Sequence, residues 1–577
     1  MKEKEKQRNL ILILSIIGLM LCIVVLFPQV REGIVSLVEQ KMMHGELMSS
    51  RRAWIASLFS FAMGGICLFI FINYCIQTES GRKLMSSTRD EIKYCWAEIN
   101  FRSFLKPSLW MFFVYSLGIL TIIRANFLYE DDILRSLVGH RRWEFFSRYV
   151  AEISSIIIHA NLRITEISPL PQLLAAMIMA VSSVLLVYVI NNKKLTVVSL
   201  LVSIPLGLSP YFLECFSFKY DAPYMAMSVL ASIVPFLFIS RKKVFLFLSV
   251  IALLIMYMTY QAASGIYLMI VLAICFQDWN TRKKTNKEVF SFAGIALFAF
   301  ALGLIIFKFF IMKPPVDSYV STNMHPVNQL IPGILTNLKE YINYINSDLG
   351  LVWKFCIVLV VIFFLIKSVH ISSQNKLISL IFSSFIVCLS FVLSYGIFYM
   401  LKQPLFDLRA MYGFGAWLAI LCVYIATNYN KIAKIAALAL CWSFFVFAFS
   451  YGNALADQKR YTDFRVGLLL HDLSTLYPED KEVSIQLENK IDYTPSVKLM
   501  AAHYPIVKRL RVQMKEMSWE YIYFMNHFNF EKQANKMNED YNQYILDFNT
   551  LDLPVVLETY YHTIKSDGTH VLVILKH

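Results

Sequence analysis

Charged side chains are scarce in this chain. Of its 577 residues, 16% are Asp, Glu, Lys or Arg, while 57% are hydrophobic, and the mean hydropathy is +0.55. A soluble fold this apolar could not cover its surface with polar groups. Disorder is excluded as well, because 45 Phe, 31 Tyr and 9 Trp supply far too much buriable surface. Paired cysteine motifs are lacking. The ten Cys are scattered, most of them inside apolar runs such as those around Cys67, Cys275, Cys388 and Cys441. No C-x-x-C occurs, so neither a zinc site nor a disulfide framework is signalled. No Gly-rich loop follows a strand, which excludes a nucleotide-binding α/β domain of the Rossmann kind. No basic helix is interleaved with aromatics, so the excess of Lys and Arg (54 against 40 acidic residues, net +14) does not read as nucleic-acid binding. It reads instead as the positive bias of cytoplasmic loops in a membrane protein. Internal repeats and low-complexity segments are absent too.

What is present is a succession of long apolar runs. A bilayer core of about 30 Å needs about 20 apolar residues per helix. A basic start, Met1 to Arg8, precedes an apolar run over 9–27. That run is long and no small-x-small cleavage site follows, so it reads as an uncleaved first span. Further runs lie near 53–75, 107–124, 169–190, 195–214, 222–240, 244–259, 262–277, 289–312, 351–369, 377–400, 411–427 and 432–452. The expected fold is therefore a polytopic α-helical membrane protein of about thirteen transmembrane helices. With the N-terminus in the cytoplasm, every inner loop is basic, from Arg82, Lys83, Arg89, Lys93, Arg102 and Lys106 to Lys193-Lys194, Arg241-Lys242-Lys243, Arg282-Lys283-Lys284 and Lys431. The organisation this predicts is N-terminal spans and a cytoplasmic loop over 1–106, a transmembrane core over 107–452 with a long outer loop at 125–168, and an extracytoplasmic region over 453–577. That last region reads as a small α/β or α+β domain. Val483–Leu487 alternates like a strand. Pro554–Ile564, the turn Ser566-Asp567-Gly568 and Val571–Leu575 read as a hairpin, and helical patterns fall near 461–475 and 496–513.

The densest ionisable cluster sits in the outer loop: Tyr129-Glu130-Asp131-Asp132-Ile133-Leu134-Arg135, then Gly139-His140-Arg141-Arg142-Trp143-Glu144 and Arg148. Three adjacent carboxylates repel one another, and a low-dielectric wall beside them raises the pKa of at least one. Such a group suits a general base. The neighbouring arginines suit a phosphate or diphosphate. His140 and His159 are isolated and do not form a metal site. The Asp pair could bind a divalent ion, but no cofactor is expected.

The order of these residues resembles the serotype-converting O-antigen glucosyltransferases, the Gtr type II family. The likeness begins with Asp131-Asp132-x-x-Arg135, Gly139 and Trp143, and continues with Glu166-Ile167-Ser168-Pro169-Leu170-Pro171-Gln172 at the start of the next span. Lys219-Tyr220-Asp221, Tyr260-Gln261-Ala262-Ala263, Arg409 before Gly413, and Tyr451-Gly452-Asn453-Ala454-Leu455 with Gln458 follow in order. It covers roughly 107–470. Two positions depart from the family pattern: Glu166 stands where Asp is usual, and Arg148-Tyr149 where Arg-Pro is usual.

The resemblance implies a C-type (GT-C) membrane glycosyltransferase that moves a sugar, glucose by family, from a polyprenyl-phosphate donor to a hydroxyl of O-antigen or another surface polysaccharide. It further implies a bacterial inner-membrane location, an outer catalytic loop, and a lipid-phosphate sugar synthase and flippase as partners. One direct displacement would invert the anomeric carbon. Asp131 or Asp132 is the expected base, with Asp132 preferred because it lies nearer the arginine side of the loop. Glu130, Arg135, Arg148, Glu166, Asp221, Tyr260, Gln261 and Arg409 are the expected substrate-binding residues. A competing reading is a flippase or a polymerase of lipid-linked glycans. A flippase predicts charge within several spans. A polymerase relies on Arg and His in large late loops, and no such pair stands out.

Overall fold

A computed structural model describes residues 99–313, 323–427, 430–514, 518–537 and 543–576, with Ile70 and Asn73 besides. Apart from those two positions, the expected spans at 9–27 and 53–75 and the basic stretch from Arg82 to Lys93 lie outside the described residues. The chain forms two compact units. Among the described residues, one holds Ile70, Asn73, 99–103, 145–147 and 299–313, and the other holds the rest. In the first unit the Ser147 hydroxyl accepts from the Lys313 backbone N–H at 2.8 Å and donates to its carbonyl at 3.1 Å.

Helices dominate, as the apolar runs require. In chain order they are α1 (Arg102–Gly118), α2 (Leu120–Ala125), α3 (Asp131–Val138), α4 (Tyr149–His159), α5 (Leu170–Ile190), α6 (Val197–Leu201), α7 (Pro205–Leu208), α8 (Pro210–Ser217) and α9 (Ala222–Ile233). They continue as α10 (Lys242–Tyr257), α11 (Ser264–Asn280), α12 (Asn286–Ile306), α13 (Leu330–Asp348), α14 (Leu351–His370), α15 (Lys376–Leu393), α16 (Gly413–Ala426) and α17 (Lys431–Leu476). Among the described residues, six helical stretches are long and apolar enough to cross a membrane: Leu170–Ile190, Gln261–Asn280, Asn286–Ile311, Leu351–His370, Lys376–Leu393 and Lys431–Leu476. A seventh counts if the pair Val197–Leu208 and Pro210–Ser217 is one span bent by 63°. The other expected runs form shorter helices, so the described residues do not reach the expected number of spans. The run at 107–124 is interrupted at Ile119 between α1 and α2. The run at 195–214 breaks where Pro205 and Pro210 open new helices, since proline lacks the N–H that would continue the preceding one. Its second limb carries Glu214, an acid inside an otherwise apolar run.

The longest element fixes how the C-terminal region meets the rest. α17 runs 46 residues without a break, about 69 Å at 1.5 Å per residue, more than twice a bilayer core. It therefore passes straight through position 452, the expected domain boundary. Near its middle it crosses α2, and Gly452 permits the approach: a Cβ there would strike the backbone of Thr121 and Ile122. Its last turns present Val466, Leu469 and Leu473 to a second core, shared with Ile485, Leu487, Tyr521, Met525, Val571 and Val573. That core lies against a five-stranded sheet. The strands are β1 (Ser484–Glu488), β2 (Gln533–Ala534), β3 (Val555–Glu558), β4 (His562–Ser566) and β5 (His570–Leu575), in the order β2-β1-β5-β4-β3. β1 is parallel to β2 and β5, and β3, β4 and β5 run antiparallel. The expected arm Pro554–Ile564 divides into β3 and the start of β4, and β4 forms the hairpin with β5 about the expected turn. Its turn is made by Gly568 at φ 97° and by the Asp567 carboxylate, which accepts from the N–H groups of Thr569 and His570. α18 (Pro495–His503) and α19 (Ser518–Asn526) complete this α+β region. Arg465 ties α17 to the sheet by donating to the carbonyls of Tyr561 and Lys576, both at 2.7 Å.

Candidate functional site

The acidic segment of the outer loop folds into α3, an eight-residue helix with Asp131 and Asp132 in its first turn. Carboxylates suit that position, because the helix N-terminus carries unsatisfied N–H groups and partial positive charge. The preceding residue, Glu130, has φ 47° and ψ −108°, a conformation that non-glycine residues rarely adopt. One face of α3 is apolar, and Ile133 enters the core of the C-terminal region. The acidic segment and the C-terminal sheet are thereby parts of one packed body.

The two aspartates have opposite surroundings. The Asp131 side chain is 48% exposed and lies 3.9 Å from the Arg135 guanidinium, one turn on. Asp132 is 0% exposed. Its Oδ2 accepts from the backbone N–H of Lys219 at 2.9 Å and of Tyr129 at 3.2 Å, while its Oδ1 is buried with no hydrogen-bond partner. Burial pushes the Asp132 pKa up to about 8, and the Asp221 charge adds to this; the Lys219 N–H and the Arg135 and Lys219 charges pull the other way. A carboxyl so held joins α3 to the segment before α9.

Two of the three expected arginines, and Lys219 with them, are committed to carboxylates. Arg135 pairs with Asp221, lies 4.4 Å above the Trp143 ring, and shares Asp221 with the Trp143 indole N–H. Lys219 donates to Glu166 and to Asn126, both at 2.6 Å. Arg409 donates to Glu130 at 2.7 Å and to Asp407 at 3.2 Å, and its own backbone N–H donates to Glu214. Tyr129 closes this side by donating to Glu214 at 3.2 Å. The third expected arginine, Arg148, rests half-buried with its guanidinium 4.5 Å from the Tyr260 ring, and Tyr260 stacks on Tyr412 at 6.1 Å. Gln261 begins the short turn that enters α11. His159 stacks on Tyr220 at 6.0 Å. No group of three His, Cys, Asp or Glu suited to a metal occurs among the described residues.

The structure brings together Glu130, Asp131, Asp132, Arg135, Glu166, Asp221 and Arg409 around α3, and sets Arg148 against Tyr260. Sequence reasoning missed Glu214, Asp407 and Arg511. Arg511, from the C-terminal region, pairs with both Glu130 and Asp407. Glu214 had a readable signal, a lone acid within an apolar run. Two openings lie in the same compact unit. A cleft of about 390 Å³ runs beside the end of α3, between Arg141, Arg142, Arg163, Glu144 and Glu152. Burial and Glu144 push the Glu152 carboxyl up to about 7. A larger groove of about 1100 Å³ lies where α14, α17 and α18 meet, lined by Trp353, Trp442, Val446, Leu499 and Tyr504.

Residues 120–420 match the family model described as Glucosyl transferase GtrII, just over half of the chain. The chain belongs to this glucosyltransferase family. The matched segment of this GtrII member contains α3, Asp221, Tyr260 and Arg409, and ends before α17. A protein of Salmonella phage P22 described as an uncharacterized 55.3 kDa protein in the gtrB 5′ region is 24% identical over 256 residues. That alignment covers 44% of the GtrII chain and 52% of the phage protein, so the chain spans about half of this relative's length. No solved structure matches.

Proposed function

We propose that this chain transfers a glucosyl group from a polyprenyl-phosphate donor to a hydroxyl of O-antigen or another surface glycan, on the outer side of a bacterial inner membrane. The observation that carries the reading is a solvent-reachable carboxylate, Asp131, at the rigid start of α3 within the matched family segment. A sugar hydroxyl is a weak nucleophile near neutral pH. A carboxylate that takes its proton as the new bond forms contributes on the order of 10²–10⁴-fold in rate. Asp131 is the proposed base. Asp132, preferred on sequence grounds, is fully buried and bonded to the Lys219 N–H; in this reading it holds α3 in place.

The proton leaves the acceptor hydroxyl for Asp131, the acceptor oxygen bonds to the anomeric carbon, and the bond from that carbon to the phosphate oxygen breaks. One displacement inverts the centre. Positive charge develops on the sugar, as in glycoside hydrolysis, and negative charge on the departing lipid phosphate, which a cation stabilises. Arg148, stacked on Tyr260, is proposed for that task. Arg135 and Arg409, expected to bind phosphate, act as ion-paired supports for the loop. The groove at α14, α17 and α18 offers an apolar bed for the lipid chain between two candidate spans.

The test is purified enzyme with radiolabelled polyprenyl-phosphate-glucose and a lipid-linked O-antigen acceptor. Label on the glycan, lost by at least 10²-fold in Asp131→Asn with the protein still membrane-inserted, is the expected result. Undiminished turnover in Asp131→Asn contradicts the base assignment. Movement of the lipid in proteoliposomes without transfer points to a flippase.

A further inference from the structure

Besides the packing of Ile133 into its core and the His527 contact with α3, the C-terminal region reaches the site through a short strap. Between α18 and α19 the chain passes Arg509 and Arg511, outside the segment that matches the family model. Arg509 donates to Asp348 at the end of α13 and to the Phe406 carbonyl, with its guanidinium 4.3 Å from the Tyr344 ring. Asp348 is held from a second side by the Tyr211 hydroxyl at 3.0 Å. Two residues on, Arg511 donates to Asp407 at 2.9 Å and pairs with Glu130. Arg409 holds these same two acids. Two arginines and two carboxylates thus close a four-membered ring, one arginine from the family segment and one from the strap.

The ring centres on Glu130, whose backbone at φ 47° and ψ −108° immediately precedes Asp131. Such a conformation persists only where surrounding contacts over-determine it. Arg511 is itself at φ 31°, so both ends of this ion pair hold uncommon backbone. Arg511 is the more open of the two cations, with its side chain 20% exposed against 7% for Arg409. The strap therefore acts on α3 from outside the helical core.

We propose that Arg511 is a positioning residue for the transfer reaction: through Glu130 it sets the first turn of α3, and with it the direction of the Asp131 carboxylate. This rests on the function proposed above. The C-terminal region is then part of the active site and not an appendage. A displacement of about 1 Å at a reacting group can cost on the order of 10²-fold in rate.

Full-length enzyme carrying Arg511→Ala, Arg511→Lys, Glu130→Gln and the Arg511→Ala/Glu130→Gln pair tests this in the labelled-donor assay. The expected result is a kcat lower by about 10- to 100-fold in Arg511→Ala with KM little changed, partial recovery in Arg511→Lys, and no further loss in the pair beyond Glu130→Gln alone. Arg460→Ala, an exposed site on α17, is the control. Hydrogen exchange over residues 128–139 reads the same link without substrate: exchange there accelerates in Arg511→Ala and slows again in Arg511→Lys. Wild-type kcat in Arg511→Ala, additive losses in the pair, or unchanged exchange over 128–139 overturns the proposal. A wild-type enzyme that transfers no label counts against the donor assignment instead, and the exchange measurement still decides the role of Arg511.

Discussion

Asp131 and Asp132 are neighbours in sequence and chemically distinct in the fold. A buried carboxyl with a raised pKa leaves a mark on stability. Unfolded, Asp132 would titrate near its ordinary value of about 3.9; folded, its pKa lies at about 8. Between those values the folded state holds a proton that the unfolded state has released. Stability therefore falls as the pH rises through this window and levels off above it. Asp132→Asn removes that proton exchange. Thermal melts of the detergent-solubilised protein should drop from pH 5 to pH 8 in the wild type and drop less in Asp132→Asn. Equal pH slopes in both would show that Asp132 is not titrating as its burial requires. The sequence made the acid cluster conspicuous, because acids are rare in so apolar a chain. It gave no means of telling which carboxylate turns inward: that depends on the Lys219 N–H, which lies 87 residues away.

At the scale of elements, buried ion pairs join α3 to segments distant in the chain. Arg135 and Asp221 are both almost fully buried, and Trp143 adds an indole N–H and a ring face. Removing one member of such a pair strands the other charge and costs about 3–5 kcal/mol, whereas replacing both with apolar residues of similar size is far milder. Arg135→Ala and Asp221→Ala should each lower the unfolding free energy by about that amount, and Arg135→Met/Asp221→Leu by much less, measured by denaturant or thermal unfolding. Equal destabilisation in all three would assign the effect to packing against Trp143. Long apolar runs revealed most of the helices, and strand alternation revealed β1 and the β4–β5 hairpin, because these signals are local. The proline-broken limb with Glu214 and the unbroken course of α17 past position 452 were not legible. The first depends on a bend, and the second on a helix that changes its surroundings without changing its periodicity. Asp407 and Arg511 were hidden for a related reason: a charge on a connecting segment gains meaning only from a partner fixed by tertiary packing.

For the whole molecule, a helix start bearing a reachable carboxylate packs against the C-terminal region, and an apolar groove lies between two candidate spans. These serve a lipid-borne donor only if α3 lies on the side away from the cytosol. The basic residues at the opposite ends of α5 and α11, Lys193, Lys194, Arg282 and Lys283, fit that orientation. The decisive measurement is labelling of intact cells with a membrane-impermeant maleimide, read above the wild-type background. Two single cysteines are compared, Val138→Cys at the exposed end of α3 and Lys283→Cys beyond the end of α11. The account predicts reaction at position 138 in intact cells and at position 283 only after the membrane is opened. Reaction at 283 with protection of 138 would place the acidic helix on the cytosolic side and contradict transfer from an outward-facing lipid carrier.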